Sequence, residues 1–163
     1  MSKIKIKNSK QKIADILLKI GCVNINFKNK FTLTSGKKSP VYVDCRKLIS
    51  FPKEREIVIN EMTKLIKSKY KKKVIVAGGE TAGIPYSSFI SHKLKMPMVY
   101  IRKQPKGFGK GKLIEGEYKK KSTSILIEDM ATDGGSKLHF INSLRKNALS
   151  VKDIYVVFFY NIY

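Results

Sequence analysis

Apolar residues recur at i, i+3, i+4 and i+7 through Ile13, Ile16, Leu17 and Ile20, with Ser9 placed to cap the start and Gly21 to stop it. That spacing predicts an amphipathic helix. From Val23 to Asp44 the period shortens to two, through Val23, Ile25 and Phe27, then Phe31 and Leu33, then Val41 and Val43. Lys28-Asn29-Lys30 and the stretch from Ser35 to Pro40 interrupt these runs, so hairpin-like strands are expected. Pro52 suits a first helical turn. Val58, Met62, Leu65 and Ile66 then mark the inward side of a helix that fades into Lys67–Lys73.

The second half alternates. Val74-Ile75-Val76-Ala77 predicts a short buried strand that ends in Gly78-Gly79-Glu80-Thr81-Ala82-Gly83, with a helix from about Pro85 to Leu94 behind it. Met98–Ile101 is the next strand. Residues 102–112 hold three glycines, five cationic side chains and a proline, a composition that cannot sustain a regular element. A strand is expected near Leu113–Tyr118. Ile125-Leu126-Ile127 forms another, followed by Glu128-Asp129 and a turn through Thr132 to Ser136. A helix with Leu138, Ile141, Leu144 and Leu149 inward, and a last apolar strand over Ile154–Phe159, complete the pattern. Strands alternating with helices predict an α/β protein with a mainly parallel sheet, whose ligands bind at the carboxyl ends of the strands. The pattern shows no linker and no repeat. One domain over residues 1–163 is expected, with an N-terminal helix and strand segment (1–50) ahead of the core (51–163).

Composition changes this picture little. A chain of 163 residues can bury one core. No apolar run reaches membrane-spanning length, and Met-Ser-Lys-Ile-Lys-Ile-Lys lacks a secretory signal's apolar centre. Cys22 and Cys45 stand in no metal-ligand spacing, so a reduced cytoplasm is the expected location. The formal charge of +22 suggests nucleic acid, but the lysines are spread widely. Only Lys71–Lys73 and Lys119–Lys121 form uninterrupted triplets, and arginine stands only at 46, 55, 102 and 145. Together with the abundance of Ile and Asn, this argues against a dedicated nucleic-acid role and against a membrane partner.

The chemistry lies at the strand ends. Glu128 and Asp129 can accept hydrogen bonds from hydroxyls, and the glycine turn with the helix start behind it can hold an anion. A ligand with a sugar diol and a phosphate would use both; an ordinary strand–turn–helix corner is the plainer alternative.

Four stretches together resemble the orotate phosphoribosyltransferases, which have the type I phosphoribosyltransferase fold with an N-terminal hood. Ile125–Ser136 is similar to the family's phosphoribosyl pyrophosphate motif, and Gly78–Pro85 to the loop that meets the pyrophosphate. Arg102-Lys103-Gln104-Pro105-Lys106-Gly107-Phe108-Gly109, with Leu113–Gly116, resembles the catalytic loop. Thr34–Asp44 resembles the segment that lies over orotate. Where the commoner form has two lysines and a histidine, this chain has Thr34, Ala82 and Phe108.

The resemblance implies transfer of 5-phosphoribosyl from phosphoribosyl pyrophosphate to orotate, with Mg²⁺ bridging diphosphate oxygens and no protein metal ligand named. It implies that Glu128 and Asp129 orient the ribose, that Met130 and Ala131 belong to the donor-binding run, and that the amides of Thr132, Asp133, Gly134, Gly135 and Ser136 hold the 5-phosphate. Glu80, Thr81 and Ala82 would face the diphosphate, and Tyr42, Val43 and Thr132 the pyrimidine. Arg102, Lys103 and Lys106 would be the catalytic cations. A homodimer with shared sites is also implied. Members of the family continue with further sheet and helix past the point that matches Tyr163, so the sequence reads either as a fragment or as an unusually short member. Two alternatives remain open: a purine phosphoribosyltransferase, and a non-catalytic nucleic-acid-binding regulator or inactive remnant of the same fold.

Overall fold

The computed structural model describes residues 8–33, 36–105, 112–132 and 134–160. It divides into two compact units, Met1–Glu61 and Met62–Tyr163, whose boundary falls inside one helix.

In the first unit, α1 (Ser9–Lys19) starts one residue earlier than its spacing predicts. Asn8, not Ser9, is the cap. Its Oδ1 accepts from the Gln11 amide at 3.0 Å while the Gln11 side chain accepts from the Asn8 amide at 3.2 Å, a reciprocal capping box. Ser9 Oγ is thereby released to donate to Glu61 Oε2 at 2.7 Å. β1 (Val23–Ile25) pairs antiparallel with β4 (Val41–Val43), and β2 (Phe31–Thr32) with β3 (Lys38–Ser39). β3 falls in a stretch whose composition suggests only loop; Phe31 and Thr32 recruit it by pairing with Ser39 and Lys38. A 3₁₀ turn over Cys45–Ser50 is capped by Asp44 and leads to α2 (Pro52–Lys69), which opens on proline as the pattern predicts. Both thiols are buried and unbridged, and burial pushes the Cys22 thiol up.

The second unit is a five-stranded sheet in the order β7-β6-β5-β8-β9. β5 (Ile75–Gly79), β6 (Met98–Ile101), β8 (Thr123–Ala131) and β9 (Ser150–Phe159) are parallel, and the short β7 (Ile114–Glu115) runs against β6. α3 (Gly83–Leu94) and α4 (Gly135–Lys146) form the crossovers after β5 and β8. α4 covers one face, where Phe140, Ile141 and Leu144 join Ile75, Ala77, Val99, Ile101 and Leu126 in a single core. Each such large side chain contributes about 1.5–3 kcal/mol by leaving water.

Three further expectations need correction. Leu138 is 60% exposed and Leu65 50% exposed, because the inward stripes run through Phe140, Ile141 and Leu144 on α4 and through Met62 and Ile66 on α2. The strand expected to end at Ile127 continues to Ala131, because β9 keeps pairing with it as far as Ala131–Phe159.

Candidate active site

That extension changes how the acidic pair is presented. Glu128 and Asp129 do not follow the strand; they are part of it, and successive strand residues point to opposite faces. Both are buried, Glu128 to 4% exposure and Asp129 to 7%. Asp129 Oδ1 accepts from the Met130 amide at 2.8 Å.

Glu128 lies in a compartment built by two other motifs. A Cβ on Gly79 or on Gly83 would come within 2.3 Å of Glu128 Oε1. A Cβ on Gly78 would sit 2.2 Å from Ser87 Oγ and 2.7 Å from the Gly83 carbonyl oxygen. The glycines of the Gly78–Gly83 loop are therefore required by close approach: one lets α3 pack on β5, and two leave room for a carboxylate from the neighbouring strand.

From α4, Lys137 Nζ reaches Glu128 Oε2 at 3.1 Å and donates to Ser136 Oγ at 3.1 Å. Glu128 Oε1 is buried without a full hydrogen bond. Burial pushes the Glu128 carboxyl up to about 7; Asp129 adds to the rise, and Lys137 and the nearby Gly79 backbone oppose it. Lys137 is absent from the sequence-based site, although a signal for it existed. The stripe of Leu144, Ile141 and Phe140, extended back one turn, lands on a lysine, a residue not expected on the buried side of a helix or in a helix's first turn.

The two loops beside β5 also meet. Glu80 N donates to the Ile101 carbonyl at 2.8 Å, extending the β5–β6 pairing, and Glu80 Oε2 accepts from the Lys103 amide at 2.7 Å. Arg102 is half-buried; its amide donates to the Leu113 carbonyl at 2.9 Å and its Nε to the Gln104 carbonyl at 3.3 Å. Thr81 is exposed and Ala82 half-buried at the start of α3. Thus Glu80, Thr81, Ala82, Arg102 and Lys103 cluster at the carboxyl ends of β5 and β6, while Glu128 to Thr132 lie at the end of β8. Met130, Ala131 and Thr132 are half-buried, and Gly135 and Ser136 are exposed at the start of α4. Gly134 caps that helix at φ +83°, a conformation that favours glycine. Lys106 and Asp133 lie outside the described residues.

Tyr42 and Val43 belong to the first unit. The Tyr42 ring lies 5.5 Å from that of Phe31, and its hydroxyl accepts from Arg46 Nη2 at 3.2 Å. The Val43 side chain is buried, which leaves Tyr42 as the more accessible of the two. Among the described residues no three His, Cys, Asp or Glu side chains come together as a metal-binding group. A magnesium ion fits this site only if diphosphate and water supply most of its oxygens.

No protein-family model matches the chain. A curated orotate phosphoribosyltransferase of Ruegeria sp. (strain TM1040) is 43% identical over 152 residues, which cover 92% of this chain and 67% of that protein. The chain belongs to the orotate phosphoribosyltransferase family. It spans about two thirds of the length of such relatives. Among solved structures, that of orotate phosphoribosyltransferase from Aeropyrum pernix matches with a TM-score of 0.74 and 27% identity, covering 88% of this chain and 79% of that one. The structure of Leishmania donovani UMP synthase matches with a TM-score of 0.76 and 30% identity, covering 94% of this chain and 37% of that one. The family's type I phosphoribosyltransferase fold is the fold seen here: a mostly parallel sheet between helices, with antiparallel strands ahead of it.

Proposed function

We propose that the chain transfers 5-phosphoribosyl from phosphoribosyl pyrophosphate to orotate, forming orotidine 5′-phosphate and pyrophosphate in pyrimidine nucleotide biosynthesis. The observation that carries this reading is the 43% identity to an orotate phosphoribosyltransferase across nearly the whole chain. The reaction breaks the C1–oxygen bond of the donor, so negative charge grows on the leaving diphosphate while the sugar ring becomes oxocarbenium-like. Arg102 and Lys103, at the carboxyl end of β6, are suited to stabilise that charge, with Lys106 three positions further along the sequence. The Glu80 carboxylate fixes the Lys103 backbone and so sets where the loop departs. Asp129 orients the ribose hydroxyls as an acceptor, with Glu128 behind it. The turn from Thr132 to Ser136 and the first amides of α4 hold the 5-phosphate. Tyr42, Val43 and Thr132 are assigned to the pyrimidine.

Magnesium, when bound, neutralises diphosphate charge. A homodimer with shared sites and a cytoplasmic location complete the proposal; among the described residues, no helix is long and apolar enough to cross a membrane. The test is direct. Folded protein is mixed with donor, Mg²⁺ and orotate, and loss of orotate absorbance is followed. Consumption of orotate but not of adenine or hypoxanthine is expected. Turnover of a purine instead, or none from a folded sample, overturns the reading.

A further inference from the structure

The two uninterrupted lysine triplets lie far apart in sequence, and the sheet brings them to one edge. Lys71–Lys73 lead into β5 and Lys119–Lys121 lead into β8; these strands are parallel neighbours with Ile75 opposite Ser124. The second triplet is fixed in place by its backbone: Lys121 N donates to the Ala148 carbonyl at 2.6 Å, and Ser150 N to the Ser122 carbonyl at 2.9 Å. This is the amino edge of the sheet, opposite the strand ends that carry the candidate active site.

A groove of about 870 Å³ opens there. Lys69, Lys71, Lys72, Lys73 and Lys152 line it, with Ser122 and Thr123 from the start of β8, and no carboxylate faces it among the described residues. Asp153, which follows the lining residue Lys152, is already engaged: it pairs with Lys69 at 2.6 Å and accepts from the Tyr70 hydroxyl. Lys71, Lys72, Lys73, Lys119, Lys120, Lys121 and Lys152 are all exposed.

We infer that this edge is a second binding surface, one that takes the phosphate backbone of a nucleic acid. Seven exposed lysines spread over two loops and a strand exceed what a single phosphate group can use, and they match a chain of regularly spaced anions. Lysine is a point charge that contacts phosphate without reading base edges, so binding is independent of sequence. Tyr70, the aromatic side chain in the lining, is tied to Asp153, so stacking contributes little. A lipid surface fits less well, because no large exposed apolar side chain lines the groove to enter a bilayer. The sequence alone suggests diffuse charge; the parallel topology concentrates it.

The probe is a fluorescein-labelled oligouridylate of about 20 nucleotides, titrated with the full chain between about 50 and 200 mM salt and followed by anisotropy. About five engaged phosphates give a slope of log K against log salt near −3.5, at about −0.7 per phosphate on a single strand. Lys71→Glu/Lys72→Glu/Lys73→Glu is expected to weaken binding at least tenfold and to flatten the slope by about 2, the share of three phosphates. Phosphoribosyl transfer should persist in that variant. Lys10→Glu/Lys28→Glu/Lys30→Glu changes net charge equally at exposed positions of the first unit and should cost less than about threefold. Should the first variant fail to fold, Lys119→Gln/Lys120→Gln/Lys121→Gln serves, with the same direction expected. Equal losses in triplet and control variants would show diffuse attraction and overturn the proposal. So would displacement of the oligonucleotide by phosphoribosyl pyrophosphate, or tighter binding to phosphatidylserine vesicles than to the oligonucleotide.

Discussion

Two neighbouring strands each carry a carboxylate paired with a lysine from a helix, and the two pairs behave in opposite ways. Glu128 on β8 meets Lys137 at the carboxyl edge, and Asp153 on β9 meets Lys69 at the amino edge. Glu128 is closed off by Gly79, Gly83 and Phe140, so burial dominates and its pKa rises to about 7 despite the cation beside it. Asp153 is far more open; hydrogen bonds from Lys69 and then Tyr70 outweigh its slight desolvation, and its carboxyl falls below the usual range. The same chemical partners therefore give opposite shifts, and solvent access decides which. The buried pair holds a carboxylate in a closed compartment, and the open pair anchors the end of α2 to β9.

The strongest way to break this comparison is to remove the buried cation. Lys137→Met leaves Glu128 in its compartment without a counter-charge, and breaking a buried pair costs about 3–5 kcal/mol when the remaining partner stays ionised. The group escapes part of that cost by holding its proton. With a folded pKa near 7 against 4.5 in the unfolded chain, Glu128's contribution to stability is fully present below 4.5 and is lost as pH rises through 7. Without Lys137 the folded pKa climbs further and the loss extends to higher pH. Thermal unfolding should therefore show a larger deficit for the variant at pH 8 than at pH 5.5, and Lys137→Arg should recover much of it. An equal deficit at both values would mean that Lys137 is mere packing.

Asp129→Asn tests the other face of the strand. A charged hydrogen bond to a ribose hydroxyl is worth about 1.5–3 kcal/mol, so kcat/KM for the donor should fall roughly 10- to 150-fold. Wild-type kinetics in the variant would remove Asp129 from the sugar site. Gly79→Ala sharpens the claim that glycine makes the compartment: its Cβ would lie 2.3 Å from both Glu128 Oε1 and the Phe140 ring, and overpacking of this kind costs about 1–3 kcal/mol. Unchanged denaturant midpoints would show that the compartment has slack. The smallest effect belongs to Asp153→Asn. It should barely alter the melting temperature at pH 7 and should reduce the stability lost on acidification below about pH 4, because a lowered carboxyl contributes above its unfolded pKa and loses that contribution as pH falls.

Much of the fold was legible because period and punctuation agree. Val74–Ala77, Met98–Ile101 and the helices behind Pro52 and Gly83 fall within a residue or two of their expected positions. The misjudged elements share a cause. β3 and the last four residues of β8 exist because a partner strand pairs with them, and pairing between distant residues leaves no local trace. In the candidate site, residue types were readable but their company was not. Glu80 and Lys103 are 23 positions apart and share a hydrogen bond, while the partner of Lys137 sits on the preceding strand and leaves no mark beside it in the sequence.

By itself, then, the sequence determined the alternation of strands and helices, the glycine turns, and the family those motifs belong to, since each is written in adjacent residues. Only the tertiary structure decided that Glu128 is enclosed by the glycines of another loop and held by Lys137, and that two lysine triplets share one edge. Those facts depend on which strands lie side by side. Side-by-side strands are chosen by burial and by hydrogen bonding across the whole sheet, and no stretch of chain carries that choice alone.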